Sequence, residues 1–103
     1  MDGLKVFWTQ TAKRQRDHIF EYWNNKNKSK SYSTKLNLAI RERIQLLKKQ
    51  PEFGKKIYFK NIRAVSMRHY SIIYKINQLN IIIIGFWDNR QDSEKLLNFL
   101  RNA

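Results

Sequence analysis

The sequence predicts an α+β domain: an N-terminal strand, a helical hairpin, a three-stranded antiparallel meander and a short C-terminal helix. Three observations predict it. Ile81 to Ile84 are an unbroken β-branched run bounded by Asn77-Gln78-Leu79-Asn80, the pattern of a strand buried on both faces. Two earlier segments carry apolar residues at spacings of three and four, the period of amphipathic helices. Between them and the isoleucine run, Tyr70, Ile72, Tyr74 and Ile76 alternate with other residues, so they share one face of a strand. This order predicts an antiparallel sheet packed on one side by the helical hairpin, in two layers.

Leu4, Val6 and Trp8 alternate with Lys5 and Phe7 as a short first strand, after which Thr9 or Thr11 can cap a helix. Ala12, Ile19, Phe20, Tyr22 and Trp23 make the segment from about Thr11 to Asn25 amphipathic. Asn24 to Lys30, with three lysines and no apolar residue, reads as an interhelical loop. From Ser31 to Lys49, Tyr32, Leu36, Ile40, Ile44 and Leu47 line one face, and Leu38, Ala39 and Leu46 widen it. Pro51 stops this helix. The stretch Lys55 to Lys60 reads as an irregular basic segment, followed by strands at Ile62 to Met67, Tyr70 to Ile76 and Ile81 to Trp87. Asp92 or Ser93 can then cap a helix whose Leu96, Leu97, Phe99 and Leu100 fold back onto the sheet.

A chain of 103 residues forms one domain, 1–103, and buries roughly 60 to 70% of its unfolded surface without needing a disulfide or metal. It has no cysteine, which excludes a disulfide scaffold and a thiolate zinc site and suits a reducing cytoplasm. No signal peptide is visible, and the longest apolar stretch, Ile81 to Trp87, is far shorter than the ~20 residues of a membrane span. The expectation is a soluble cytoplasmic protein with no membrane partner. Lys and Arg number 21 against 8 acids, a net charge of +13 whose field attracts a polyanion: nucleic acid, an anionic surface or an acidic protein.

His18 and His69 have no second ligand at helical or strand spacing, so no metal site is expected. Gly3, Gly54 and Gly85 are isolated, so there is no phosphate loop, and no cofactor is expected. What remains is basic: Lys55, Lys56, Lys60, Arg63, Arg68 and Arg90 can converge near one rim of the meander. There Tyr58, Phe59, Tyr70 and Trp87 supply aromatic faces. Asp88 and Asp92 flank Arg90, where they either orient its guanidinium for an anion or hold it in a structural ion pair. Metal-free RNA cleavage needs a base, an acid and cations around the phosphate; Arg90, His69 and Lys60 are the candidates.

The order of elements, the IIYKI strand, the ending IIIIGFWDNRQDSEKL and the helical hairpin with Trp23 together resemble the RelE/ParE superfamily of type II toxin-antitoxin toxins. The resemblance covers nearly the whole chain and implies a cytoplasmic toxin wrapped by an acidic or amphipathic antitoxin. It also implies one of two activities: ribosome-dependent mRNA cleavage in the RelE branch, or poisoning of DNA gyrase without nuclease chemistry in the ParE branch. Ribonuclease members carry an arginine directly after the aromatic of the middle strand and a tyrosine or histidine-tyrosine pair near the final helix. Here Ser71 follows Tyr70, and the terminal position reads Lys95-Leu96-Leu97. Both departures favour a ParE-like toxin whose target-binding residues are Lys55, Lys56, Lys60, Arg63, Arg68, Arg90 and Trp87. The antitoxin is expected on Ile19, Phe20, Trp23, Leu38 and Leu46, since the hairpin offers more apolar surface than one sheet face needs. An mRNA interferase and a non-toxic basic nucleic-acid-binding module are the alternatives.

Overall fold

Thr9 both ends the first strand and starts the first helix: its backbone is extended and its hydroxyl accepts the Ala12 N–H at 3.1 Å. The computed structural model describes residues 4–59 and 61–102. Its elements are β1 (Lys5–Trp8), α1 (Gln10–Asn27), α2 (Ser31–Lys49), β2 (Lys55–Lys56), β3 (Ile62–Met67), β4 (Tyr70–Asn77), β5 (Asn80–Asp88) and α3 (Ser93–Arg101). Lys28, in the left-handed region at φ 49°, closes α1 by donating its N–H to Asn24 O. Asn24 Oδ1 in turn accepts the Ser33 hydroxyl at 2.6 Å, so the helical hairpin is tied across its own turn. The helix-helix loop is therefore shorter than the polar composition of Asn24 to Lys30 implied.

The strands form one sheet in the order β1-β5-β4-β3-β2. β3, β4 and β5 are the expected antiparallel meander, with two-residue turns at Arg68-His69 and Gln78-Leu79. The sheet is mixed rather than antiparallel, because β1 lies parallel to β5, with Lys5 opposite Asn80 and Trp8 opposite Ile83. Alternation along β1 reports which face it buries but not the direction of a partner more than 70 residues away. Lys55 and Lys56 are also not irregular: they form the edge strand β2, opposite Ala64 and Arg63. A strand of lysines is legible only through its partner, and charge on an edge strand discourages further strand pairing.

Apolar side chains cover both faces of the sheet. On one, Tyr70, Ile72 and Tyr74 of β4, Ile81, Ile83 and Phe86 of β5, and Val65 and Met67 of β3 meet Ala12, Leu36, Ile40 and Leu47 of the hairpin. On the other, Ile62, Ile73 and Ile84 meet Leu100, with Leu96, Phe99 and Trp87 packed around them. α3 therefore adds a partial third layer, where two layers were expected.

The pairing of β4 with β5 passes from Ile73–Gly85 to Tyr74–Ile83, so Ile84 has no partner and the strand bulges. The bulge resets the alternation. Before it Ile81 and Ile83 face the hairpin; after it Phe86 faces the hairpin and Trp87 faces α3. β1 reaches only to Ile83, and beyond its end Gln15 of α1 accepts the Phe86 N–H at 2.9 Å. That bond occupies a donor that would otherwise be unpaired in a half-buried site.

Tyr74 closes the opposite end. Its hydroxyl donates to Pro51 O at 2.7 Å and accepts the Gly54 N–H at 2.9 Å, and burial raises its pKa above that of a free phenol. A Cβ on Gly54 would lie 2.7 Å from Tyr74 Cε1, whereas one on Gly85 would lie 2.9 Å from Cε2 of Phe99 in the terminal helix. Gly54→Ala is expected to cost about 1–3 kcal/mol in urea denaturation, because the Tyr74 ring is immobilised in the core. Gly85→Ala should cost less, because the half-buried Phe99 can shift with its helix.

Candidate functional site

The Arg68-His69 turn and the end of β5 bring two pockets to the same end of the sheet, one on each face. On the α3 face a pocket of about 390 Å³ is lined by Lys55, Tyr58, Ser66, Ser71, Trp87 and Asn89, with Ile57, Ala64, Ile73 and Leu96 as its apolar floor. Because β3 and β4 close their turn with Met67 opposite Tyr70, Ser66 falls opposite Ser71. Ser71 donates its hydroxyl to Asn89 Oδ1 at 2.8 Å, which leaves Ser66 to donate to Ser71 at 3.1 Å. This chain is neutral. Trp87 stands at its margin, stacked on Phe99 with ring centroids 5.5 Å apart.

The hairpin face is charged. Arg90 donates from Nε and Nη2 to the two carboxylate oxygens of Asp88, each at 2.9 Å, a bidentate fork. The same Asp88 accepts the Arg90 backbone N–H at 2.9 Å, so the residues after β5 are fixed as a turn. Nη2 also reaches the Tyr70 hydroxyl at 3.4 Å, and Trp23 donates its indole N–H to that oxygen at 2.7 Å. Tyr70 stacks on Phe86 at 5.4 Å and is buried. His18, Ile19, Tyr22, Lys26 and Gln91 complete a pocket of about 360 Å³ around these groups.

The electrostatics follow from these contacts. The hydrogen bonds from Arg90 hold the Asp88 carboxyl below the usual carboxylate range against a smaller opposing effect of burial. The guanidinium is pushed further up by the same bonds and stays charged. Burial raises the Tyr70 phenol, outweighing the lowering effect of the Trp23 bond.

The expected convergence of cations on one rim does not form. Lys55 and Trp87 face the α3 pocket, while Arg90 turns to the hairpin face because the Asp88 fork and Tyr70 hold it there. Arg63 is engaged elsewhere, donating to Glu52 O at 3.0 Å and Gly54 O at 2.8 Å, where it clamps the turn after α2. Lys56 lies on the exposed edge strand, and Arg68 and His69 form the exposed turn, with His69 O accepting the Asn89 N–H at 2.7 Å. Lys60 lies outside the described residues. Asp92 takes no part in orienting Arg90; it caps α3 by accepting the Glu94 N–H at 3.0 Å.

On the hairpin, Ile19 and Phe20 pack against the core, Trp23 is bonded to Tyr70, Leu46 is half-buried and Leu38 is 55% exposed. Sequence reasoning missed Ser66, Asn89, Lys26 and Tyr22. The first was recoverable, since a two-residue turn at Arg68-His69 puts Ser66 opposite Ser71. Among the described residues no three His, Asp or Glu side chains gather as metal ligands, and no helix is long and apolar enough to cross a membrane.

Residues 6–93 match the sequence profile of a family described as ParE toxin of type II toxin-antitoxin system, parDE. The chain belongs to the ParE toxin family. No curated protein sequence matches it. A solved chain of the chromosomal ParDE TA system from P. aeruginosa shares the fold at a TM-score of 0.70 and 16% identity, covering 82% of this chain and 95% of that one. The protein is thus a ParE-like toxin component of a type II toxin-antitoxin system, and the ParE fold carries the two pockets on opposite faces of its sheet.

The Asp88–Arg90 fork makes a pH prediction for this ParE-family toxin. Because the folded-state pKa of Asp88 is depressed, the fork's contribution is present above the ordinary carboxylate pKa of ~3.9 and is lost as pH falls through the lower folded value. Carboxyl-carbon NMR titration should place the Asp88 midpoint below the ordinary carboxylate value. In Arg90→Ala it should return toward ~3.9, and the stability gap between the two proteins should narrow only in acid.

Proposed function

We propose that this ParE-family toxin arrests growth in the cytoplasm by binding DNA gyrase, without nuclease chemistry and without a cofactor, and that an acidic, amphipathic antitoxin neutralises it. The observation that carries this reading is the neutral Ser66–Ser71–Asn89 chain on the α3 face. Ser71 stands in the strand position where ribonuclease relatives carry an arginine. Its hydroxyl is committed to Asn89, and the described lining of this pocket contains no carboxylate and no imidazole.

In-line attack of a 2′-hydroxyl on phosphate needs a proton acceptor and a concentration of positive charge around five oxygens. Lys55 is the one cation among the described lining residues, and Arg90 is on the other face. Binding asks for less. Lys55, Lys56, Arg68 and Trp87 remain available to a large DNA-bound target, and the net charge of +13 favours one that carries polyanion with it. The same charge argues for an acidic antitoxin, with exposed Leu38 and Tyr22 as apolar surface for its amphipathic face.

The test is a pair of assays on purified toxin. Gyrase supercoiling should be inhibited, with cleaved DNA trapped, while mRNA in a translation extract should acquire no new 5′ ends. Lys55→Ala should raise the inhibitory concentration several-fold, roughly the loss of one charge contact. Intact supercoiling would remove gyrase as target, and cleavage within codons would restore the ribosome-dependent ribonuclease.

A further inference from the structure

Both partners of the Tyr70 hydroxyl are donors. The Trp23 indole N–H and the Arg90 guanidinium can only give hydrogen bonds, so the phenol oxygen accepts twice and its own proton has no acceptor among the described residues. Tyr70 is only 2% exposed, and its phenol, which is protonated at neutral pH in any case, is raised further by burial. That proton is therefore free for an acceptor that enters from outside the chain. The hydroxyl lines the hairpin-face pocket, where Lys26 Nζ, the side chains of Gln91 and His18, and the Arg90 Nη1 that the Asp88 fork leaves unused are further donors.

We propose that this pocket seats one carboxylate side chain of an acidic peptide segment, bound by the Tyr70 hydroxyl, Lys26 and the free edge of Arg90. Three features favour a peptide over nucleic acid. Asp88 forms part of the pocket wall, so the site suits a single monoanion and disfavours a chain of phosphates. The aromatic rings are not free platforms for a base: Trp23 packs on Tyr32 at 4.8 Å and against Tyr22 at 5.2 Å, and Lys26 covers both Trp23 and Tyr22 at 5.3 and 5.7 Å. Ile19 and Tyr22 also offer apolar surface beside the charge, which matches an amphipathic segment better than a sugar-phosphate backbone. The inference rests on the reading that an acidic antitoxin binds this chain; acidic peptide that binds with the Trp23 indole unmoved overturns the pocket and leaves that reading standing.

The indole N–H of Trp23 is the reporter, because it is bonded to the hydroxyl in question. Titration with a blocked hexaglutamate peptide at low salt should shift the Trp23 indole resonance saturably while leaving Trp87 unmoved. Tyr70→Phe and Lys26→Gln should each weaken this binding about fivefold or more, whereas the distant Lys49→Gln should weaken it no more than about twofold. If Tyr70→Phe unfolds, Lys26→Gln carries the test, since that side chain is exposed. The proposal is overturned by an unmoved Trp23 indole, by folded variants that bind as the parent does, or by oligodeoxythymidylate proving to be the ligand that moves Trp23 in a Lys26-dependent way.

Discussion

The unpaired Ile84 governs the functional end of this molecule. One residue inserted into the β4–β5 ladder inverts the alternation of everything after it. Without the bulge, Phe86 would turn toward α3 and Trp87 into the hairpin core, and Asp88 would leave the Tyr70 side of the sheet. With it, Phe86 stacks under Tyr70, Trp87 stacks on Phe99, and Asp88 and Asn89 are delivered to opposite faces. Gln15 holds the distortion by accepting the Phe86 N–H where β1 has ended.

Two unlike sites follow from that single offset. The α3 face receives Asn89 and becomes a neutral hydroxyl-amide chain beside one lysine and an aromatic wall. The hairpin face receives Asp88, which fixes Arg90 against the Tyr70 phenol in a pocket that Lys26 also lines. The two pockets open on opposite faces of the sheet, with its apolar core layers between them. The proposed target-binding and acidic-segment-binding roles thus fall on opposite faces of this ParE-family toxin.

Much of this was legible in the chain. The isoleucine run is a short β-branched stretch bounded by a turn, the alternation of Tyr70 to Ile76 and the stripe from Tyr32 to Leu47 carry the periods of a strand and a helix, and all three elements appear where these signals put them. Thr9, Asp92 and Pro51 mark helix ends through local chemistry alone. The site was less legible. Arg90 flanked by two acids was open between an anion clamp and an ion pair, and Asp88 alone closes the fork, because Asp92 is consumed by a helix cap. Arg63 looked like another surface cation, but two backbone carbonyls of a turn nine to eleven residues earlier claim it.

Taken alone, the residue order determined the element types, the α+β class, the positive field and the likeness to a toxin superfamily, since each depends on neighbours within a few positions or on sums over the chain. Tertiary structure alone decided the parallel placement of β1, the pairing of Lys55 and Lys56, the bulge at Ile84 and the division of the cations between two faces. Those depend on which distant backbone groups meet, and a one-residue shift in a ladder changes no local propensity while reversing the direction of every side chain beyond it.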